Sequence, residues 1–249
     1  MTPTSWTQSV QLGEYDFPMK LIRESRRSIR VAIAKHEVIL RAPVYSSHSD
    51  SSLVGFATEW LAKLKDEAHP SIERFKAIDP NHQLSFSVLG GPLYQVNVMK
   101  SEDCPENKST LVREGFQLKI TISNKLNAVD SKRMISSIIS KYIAKRYATM
   151  VERRIDYWND LHFRMDIGRI CLKNNASNWG SCSSKRNINI ATRTLLLPLE
   201  LADYVFVHEL AHLIELNHSS RFWSLVGAVM PNYLEKEARI KEIRSQLIF

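Results

Sequence analysis

The chain has 249 residues, enough for one large domain or two small ones. Hydrophobic residues make up 44% and charged residues 24%, which excludes disordered and fibrous classes. The net charge of +8 favours anionic partners, nucleotides or nucleic acid among them, without dictating a fold.

In chain order, residues 28–43 alternate apolar and polar positions on both sides of Lys35 and His36, which predicts a hairpin stopped by Pro43. Ser49 or Asp50 caps a predicted helix carrying Leu53, Phe56, Ala57, Trp60, Leu61 and Leu64 at three- and four-residue spacing. Pro70 restarts the chain in a further helical turn. Residues 83–100, centred on Gly90, Gly91 and Pro92, predict a second hairpin. Residues 101–109 read as a loop and 116–122 as a strand.

The period then changes. Met134, Ile135, Ile138, Ile139, Tyr142, Ile143, Tyr147 and Met150 predict a long amphipathic helix over 130–161. Lys132, Arg133, Lys141, Lys145, Arg146, Arg153 and Arg154 fall on its outer face, either solvated or a footprint for phosphate. A strand follows over 168–173, and a hairpin over 178–191 with Ser184, Lys185 and Arg186 near its tip. Pro198 opens a helix predicted through Asn217. Ser219 or Ser220 starts another, with Phe222, Trp223, Leu225 and Val226 as its inner stripe. Pro231 begins a last charged helix. No internal repeat is present.

Cys104, Cys171 and Cys182 make neither a disulfide framework nor a four-cysteine zinc site, and point to a reducing compartment. The first ten residues lack the apolar core of a secretory leader. The best apolar stretch, 195–216, is broken by Pro198, Glu200, Asp203, His208 and Glu209. The expectation is a cytoplasmic protein with no membrane partner. Composition leaves the oligomeric state open.

The chemistry concentrates in VHELAHLIELNH, residues 207–218. His208 and His212, four apart, share one face of a helix and can bind one metal ion. Glu209 stands beside that face, where its carboxylate can take a proton from water. Catalytic zinc takes three protein ligands, and His218 is the favoured third. A straight helix would carry it too far along the axis, so the helix must end first, with Asn217 as a left-handed cap. Glu235 and Glu237 are the rival third ligands. An HExxHxxGxxH pattern would share the spacing, but Glu215 stands where its glycine belongs. Tyr233 is a candidate electrophilic partner, and Asp203 either a helix-start charge or a support for a ligand. Trp179 and Trp223 read as core and Cys182 as a small buried apolar residue.

The runs NWGSCSSKRNINI and LLLPLELADYVFVHELAHLIELNHSSRFW resemble the YgjP-like family of zinc metallopeptidases, related to the SprT-like proteases. The resemblance rests on Trp179, Gly180, Ser181 and Cys182 in the hairpin, then Asp203, Tyr204, His208, Glu209 and His212. Asn217, His218, Phe222 and Trp223 complete it. It implies zinc (Zn2+) held by His208, His212 and His218, with Glu209 as the catalytic general base. Asn178 departs from the family, which has Arg before Trp-Gly-Ser. The expected fold is α+β: an N-terminal β-rich module over 1–108, then a zincin-like metallopeptidase domain over 109–249. That domain is a helical core with a small β-hairpin.

The favoured function is a zinc-dependent hydrolase acting on peptide or protein. One alternative is a zinc-dependent nucleoside-triphosphate pyrophosphohydrolase acting on a UTP-like substrate. Another is a nucleic-acid-binding protein with a structural zinc site, which would leave Glu209 without a purpose. An edge strand within 178–191 would pair with an extended peptide through main-chain hydrogen bonds.

Overall fold

The computed structural model describes residues 5–34, 37–77, 84–175 and 177–244. The fold is α+β, with a β-rich N-terminal region and a helical C-terminal part that carries a small sheet. Two compact units divide the chain. One comprises Met1–His82, Val98–Thr110 and Thr121–Met134; the other comprises Gln83–Asn97, Leu111–Ile120 and Ile135–Phe249.

The first unit is built on a four-stranded sheet of β1 (Ser5–Leu12), β2 (Tyr15–Glu24), β3 (Arg30–Ile33) and β4 (Val38–Pro43) in the order β1-β2-β4-β3. β2 and β4 run parallel; the other pairs are antiparallel. β3 and β4 are the expected hairpin, whose tip at residues 35 and 36 lies outside the described residues. Two strands precede residue 28 where the sequence reading assigned none. β1 is polar and mostly exposed, so it carries little alternation signal. β2 contains Pro18, but β2 pairs with β4 only from Met19 onward, so the missing N–H costs no bond on that side.

Tyr15, Phe17, Met19 and Leu21 of β2 and Val38, Leu40 and Ala42 of β4 form a buried cluster with α1 (Asp50–Asp66). Ser49 caps α1 by accepting from the Ser52 N–H, and Leu53, Ala57 and Leu61 face inward every fourth residue. Phe56, assigned to that stripe from its spacing, is 51% exposed instead. Pro70–Phe75 is a 3-10 turn.

A second sheet, β5 (Leu84–Ser87), β6 (Leu93–Ser101), β7 (Thr110–Glu114) and β8 (Gln117–Ser123), has the order β5-β6-β8-β7. The expected hairpin is β5 and β6, turning through Leu89 and Gly90 at positive φ. β7 was not anticipated, because its two apolar residues, Leu111 and Val112, are adjacent rather than alternating within a polar run. α2 (Ala128–Trp158) is the long helix. It widens into a π-type turn over Asn159–Phe163 and stops at Arg164, which is left-handed at φ 52. Met150, placed on its apolar face by spacing, is exposed.

In the second unit, β9 (Arg169–Lys173), β10 (Gly180–Cys182) and β11 (Asn187–Ala191) form a three-stranded sheet in the order β10-β11-β9. β11 is antiparallel to β10 and parallel to β9, so β10 alone of the hairpin is an edge. Three helices follow: α3 (Leu199–Ala211), α4 (Ser220–Val229) and α5 (Tyr233–Arg244). Among the described residues no helix is long and apolar enough to cross a membrane.

Candidate metal centre

α3 is apolar around most of its circumference, and Leu201, Ala202, Val205, Phe206, Val207, Leu210 and Ala211 are all buried. A helix of that kind is an interior element, so His208 and Glu209 are carried into the protein. The helix ends at Ala211, six residues before the predicted end at Asn217. It tightens through Leu213 N–H to the Leu210 carbonyl and Ile214 N–H to the Ala211 carbonyl. Asn217 is not among the residues at positive φ, so the left-handed cap expected there is absent. The reversal comes from the tight turn, which brings His218 back without it.

The structure brings His208, His212 and His218 together, with their candidate ligand atoms all within 4.8 Å of one another. His218 Nε2 lies 3.0 Å from His208 Nε2. His212 Nδ1 donates to the Glu215 carbonyl at 3.0 Å. A carbonyl can only accept, so Nδ1 carries the proton and Nε2 keeps its lone pair. Behind the three rings stands Phe222, fully buried, with its ring 4.4 Å from His212, 4.7 Å from His218 and 4.8 Å from His208. Ser219 caps α4 by accepting from the Phe222 N–H, which fixes the residue after His218 and the wall behind it together. Trp223 packs near His218 and stacks on Tyr233 at 5.2 Å.

Burial, and then the neighbouring His212 and His218, push the His208 imidazole down to about 3, so it is neutral at ordinary pH. Burial also lowers His212. Three imidazoles in reach of one point suit a borderline cation such as zinc.

Glu209 is buried, and its Oε2 has no hydrogen-bond partner among the described residues. Desolvation pushes its carboxyl up to about 8. It lines a cavity of about 510 Å³ together with the three histidines, Trp179 to Cys182 of the edge strand, and Tyr204. Burial, and then the charge of Glu209, push the Cys182 thiol up to about 11. Burial raises the Tyr204 phenol as well.

The remaining candidates separate. Glu237 lines the cavity but is outside the histidine cluster, and Glu235 is exposed and does not line it. Tyr233 stacks on Trp223 and is absent from the cavity wall. Asp203 is buried and accepts two bonds from Arg154, at 2.8 and 2.6 Å. Arg154 therefore leaves the outer basic face to which its spacing assigned it. Lys132 is half-buried and donates to the Glu73 carbonyl, while Lys141, Lys145, Arg146 and Arg153 are exposed. Trp179 and Trp223 are half-buried rather than core, with the Arg193 guanidinium 4.2 Å over the Trp179 ring. Cys182 is on the cavity wall rather than enclosed. Tyr204 was missed as a lining residue. Its signal was present, since it stands four residues before His208 on the same helix face.

A family profile described as YgjP-like, metallopeptidase domain matches residues 27–243. Among solved structures, the metallopeptidase zymogen of Pyrococcus abyssi abylysin is 28% identical. The alignment covers 36% of this chain and 90% of that one, with a TM-score of 0.34. No curated protein matches.

Proposed function

Because the chain belongs to the YgjP-like metallopeptidase family, we propose that it hydrolyses peptide bonds using one zinc ion held by His208, His212 and His218. Glu209 is the general base. The observation that carries this reading is the buried Glu209 carboxylate, without a hydrogen-bond partner, in the same cavity as the three histidines. A site that only held the fold together would have no use for it.

Zinc, when bound, supplies Lewis acidity toward a carbonyl oxygen and acidifies water. The protein supplies the rest. His212 is fixed by the Glu215 carbonyl and His218 by the turn into α4. Glu209 accepts a proton from the attacking water and returns it to the leaving amine, and its burial in the cavity beside the three histidines suits it to both transfers. β10 offers its free edge to an extended substrate. Ser183 N–H bonds the Asn187 carbonyl and Ala191 N–H bonds the Trp179 carbonyl. Those pairs alternate with Gly180 and Cys182, whose backbone groups point away from β11. A peptide paired there meets the backbone rather than a sequence-reading pocket, so specificity is loose.

The proposed division, a module over 1–108 and a peptidase over 109–249, keeps all of these residues on one side. Three free cysteines fit a reducing, cytoplasmic setting. The test is metal analysis of the purified chain with parallel assays on an unfolded casein-type protein and on nucleoside triphosphates. Chelator-sensitive proteolysis supports the reading. Zinc-dependent pyrophosphate release without proteolysis replaces it with the nucleotide reading, and zinc with neither activity replaces it with a structural site.

A further inference from the structure

The N-terminal sheet carries an arginine cluster that the peptidase reading does not use. On β2, β3 and β4, residues that alternate with the buried set line an open depression of about 530 Å³: Glu24, Arg30, Ala32, Ile39 and Arg41, joined by Arg26. Arg30 and Arg41 are direct cross-strand partners. Like charges placed opposite each other disfavour a sheet.

Among the described residues only one carboxylate answers them. Glu24 accepts from Arg26 at 3.2 Å and from Arg41 at 2.9 Å. Arg30 meets no carboxylate among the described residues. Arg26 Nε is buried with no hydrogen-bond partner, a donor left unsatisfied. Arg23, from the same stretch of sequence, shows what a saturated guanidinium looks like here. It donates to Asp50 and to the Pro43 and His48 carbonyls. Three guanidiniums against one carboxylate leave a local excess of positive charge in a concave site, together with an orphaned donor.

An anion seated in the depression offsets the excess charge. Planar guanidinium forks match phosphate oxygens in pairs. A carboxylate brings a single charge, whereas a pyrophosphoryl group brings several and can span neighbouring arginines. Among the described residues no aromatic side chain lines the depression to stack a base, and its six lining residues frame a small ligand rather than a polymer track. We propose that the depression framed by Arg26, Arg30 and Arg41 is a binding site for a small anion carrying a pyrophosphoryl group, with Glu24 as the internal anion it displaces.

The test is calorimetric titration of the full-length, metal-loaded chain with inorganic pyrophosphate, with adenosine diphosphate and with a short DNA duplex, at physiological salt. Pyrophosphate or the diphosphate should bind, and the tighter of the two identifies the source of the group. Arg30→Gln and Arg41→Gln should each weaken binding about tenfold or more. Glu24→Gln should tighten it several-fold, because the competing carboxylate is gone; a gain of this kind cannot come from misfolding. The proposal is overturned if neither small anion binds at millimolar concentration, or if binding survives the arginine changes. It is equally overturned if Glu24→Gln fails to tighten binding, or if the duplex alone binds in an arginine-dependent way.

Discussion

Gly180 and Glu209 occupy adjoining space: a Cβ added at Gly180 would stand 2.5 Å from Glu209 Oε1 and 2.7 Å from its Cδ and Cγ. The edge strand and the buried carboxylate can lie this close only while position 180 lacks a side chain. Gly180→Ala must therefore push one of them aside. Displacement of the base by about an ångström is expected to lower kcat/KM on the order of a hundredfold, with zinc content unchanged. Wild-type activity in a folded Gly180→Ala chain would show that the carboxylate's placement is not used.

His218 reaches the other two imidazoles only through the turn after α3, and it is the exposed member of the cluster. His218→Ala should leave a chain that loses its zinc on dialysis, read by atomic absorption. Glu237→Ala, on the cavity wall but outside the cluster, should keep about one zinc per chain. The reverse result would move the third ligand to α5.

Glu209→Gln keeps the size of the side chain and removes the proton acceptor. Zinc should be retained, and the rate of peptide hydrolysis should fall by about two to four orders of magnitude. A variant as fast as wild type would remove Glu209 from the chemistry.

The same carboxyl couples folding of the metal-free chain to pH. Its ordinary value of 4.5 is raised to about 8 by desolvation. Between those values the folded chain holds a proton that the unfolded chain has released. This contribution to stability is complete below 4.5 and is lost as pH rises toward 8, by about 1.4 kcal/mol per pH unit. Glu209→Gln has no such proton. Thermal melts in chelator should coincide near pH 4.5 and separate in favour of the variant as pH rises. Parallel melts at every pH would contradict the buried, unpartnered state of the carboxyl.

Strand position separates main-chain pairing from simple unfolding. Ile190 is fully buried on the central strand between Gly180 and Leu172, so Ile190→Pro should abolish folding, not only cleavage. Cys182→Pro removes an N–H that faces the free edge. It should leave circular dichroism and zinc intact while lowering proteolysis about tenfold or more, and Cys182→Ala should be near wild type. Equal proteolysis by the Pro and Ala variants would discard the edge-strand pairing.

Much of the site was legible because its signals are local. His208 and His212 one helical turn apart, with Glu209 beside them, need only the helix to be a helix. The α+β class and the β10–β11 hairpin were legible for the same reason, and the caps to within one residue: Ser49 rather than Asp50, and Ser219 rather than Ser220. Phe56 and Met150 show the limit: both sit at apolar spacing, yet both are exposed. Periodicity names a face without saying how wide the covered stripe is.

What the sequence determined by itself was therefore the candidate ligands, the candidate base and the elements that carry them, since these follow from spacing along a chain of known geometry. Only tertiary structure decided how the helix after Ala211 reverses, because hydrogen bonds such as His212 Nδ1 to the Glu215 carbonyl turned the chain without the Asn217 cap. It likewise decided that Arg154 turns inward to Asp203, 49 residues away. It also set Gly180 against Glu209, which no spacing rule connects. Contacts between distant segments are selected by shape and by the cost of burying unpaired charge, and those quantities exist only once the segments are packed together.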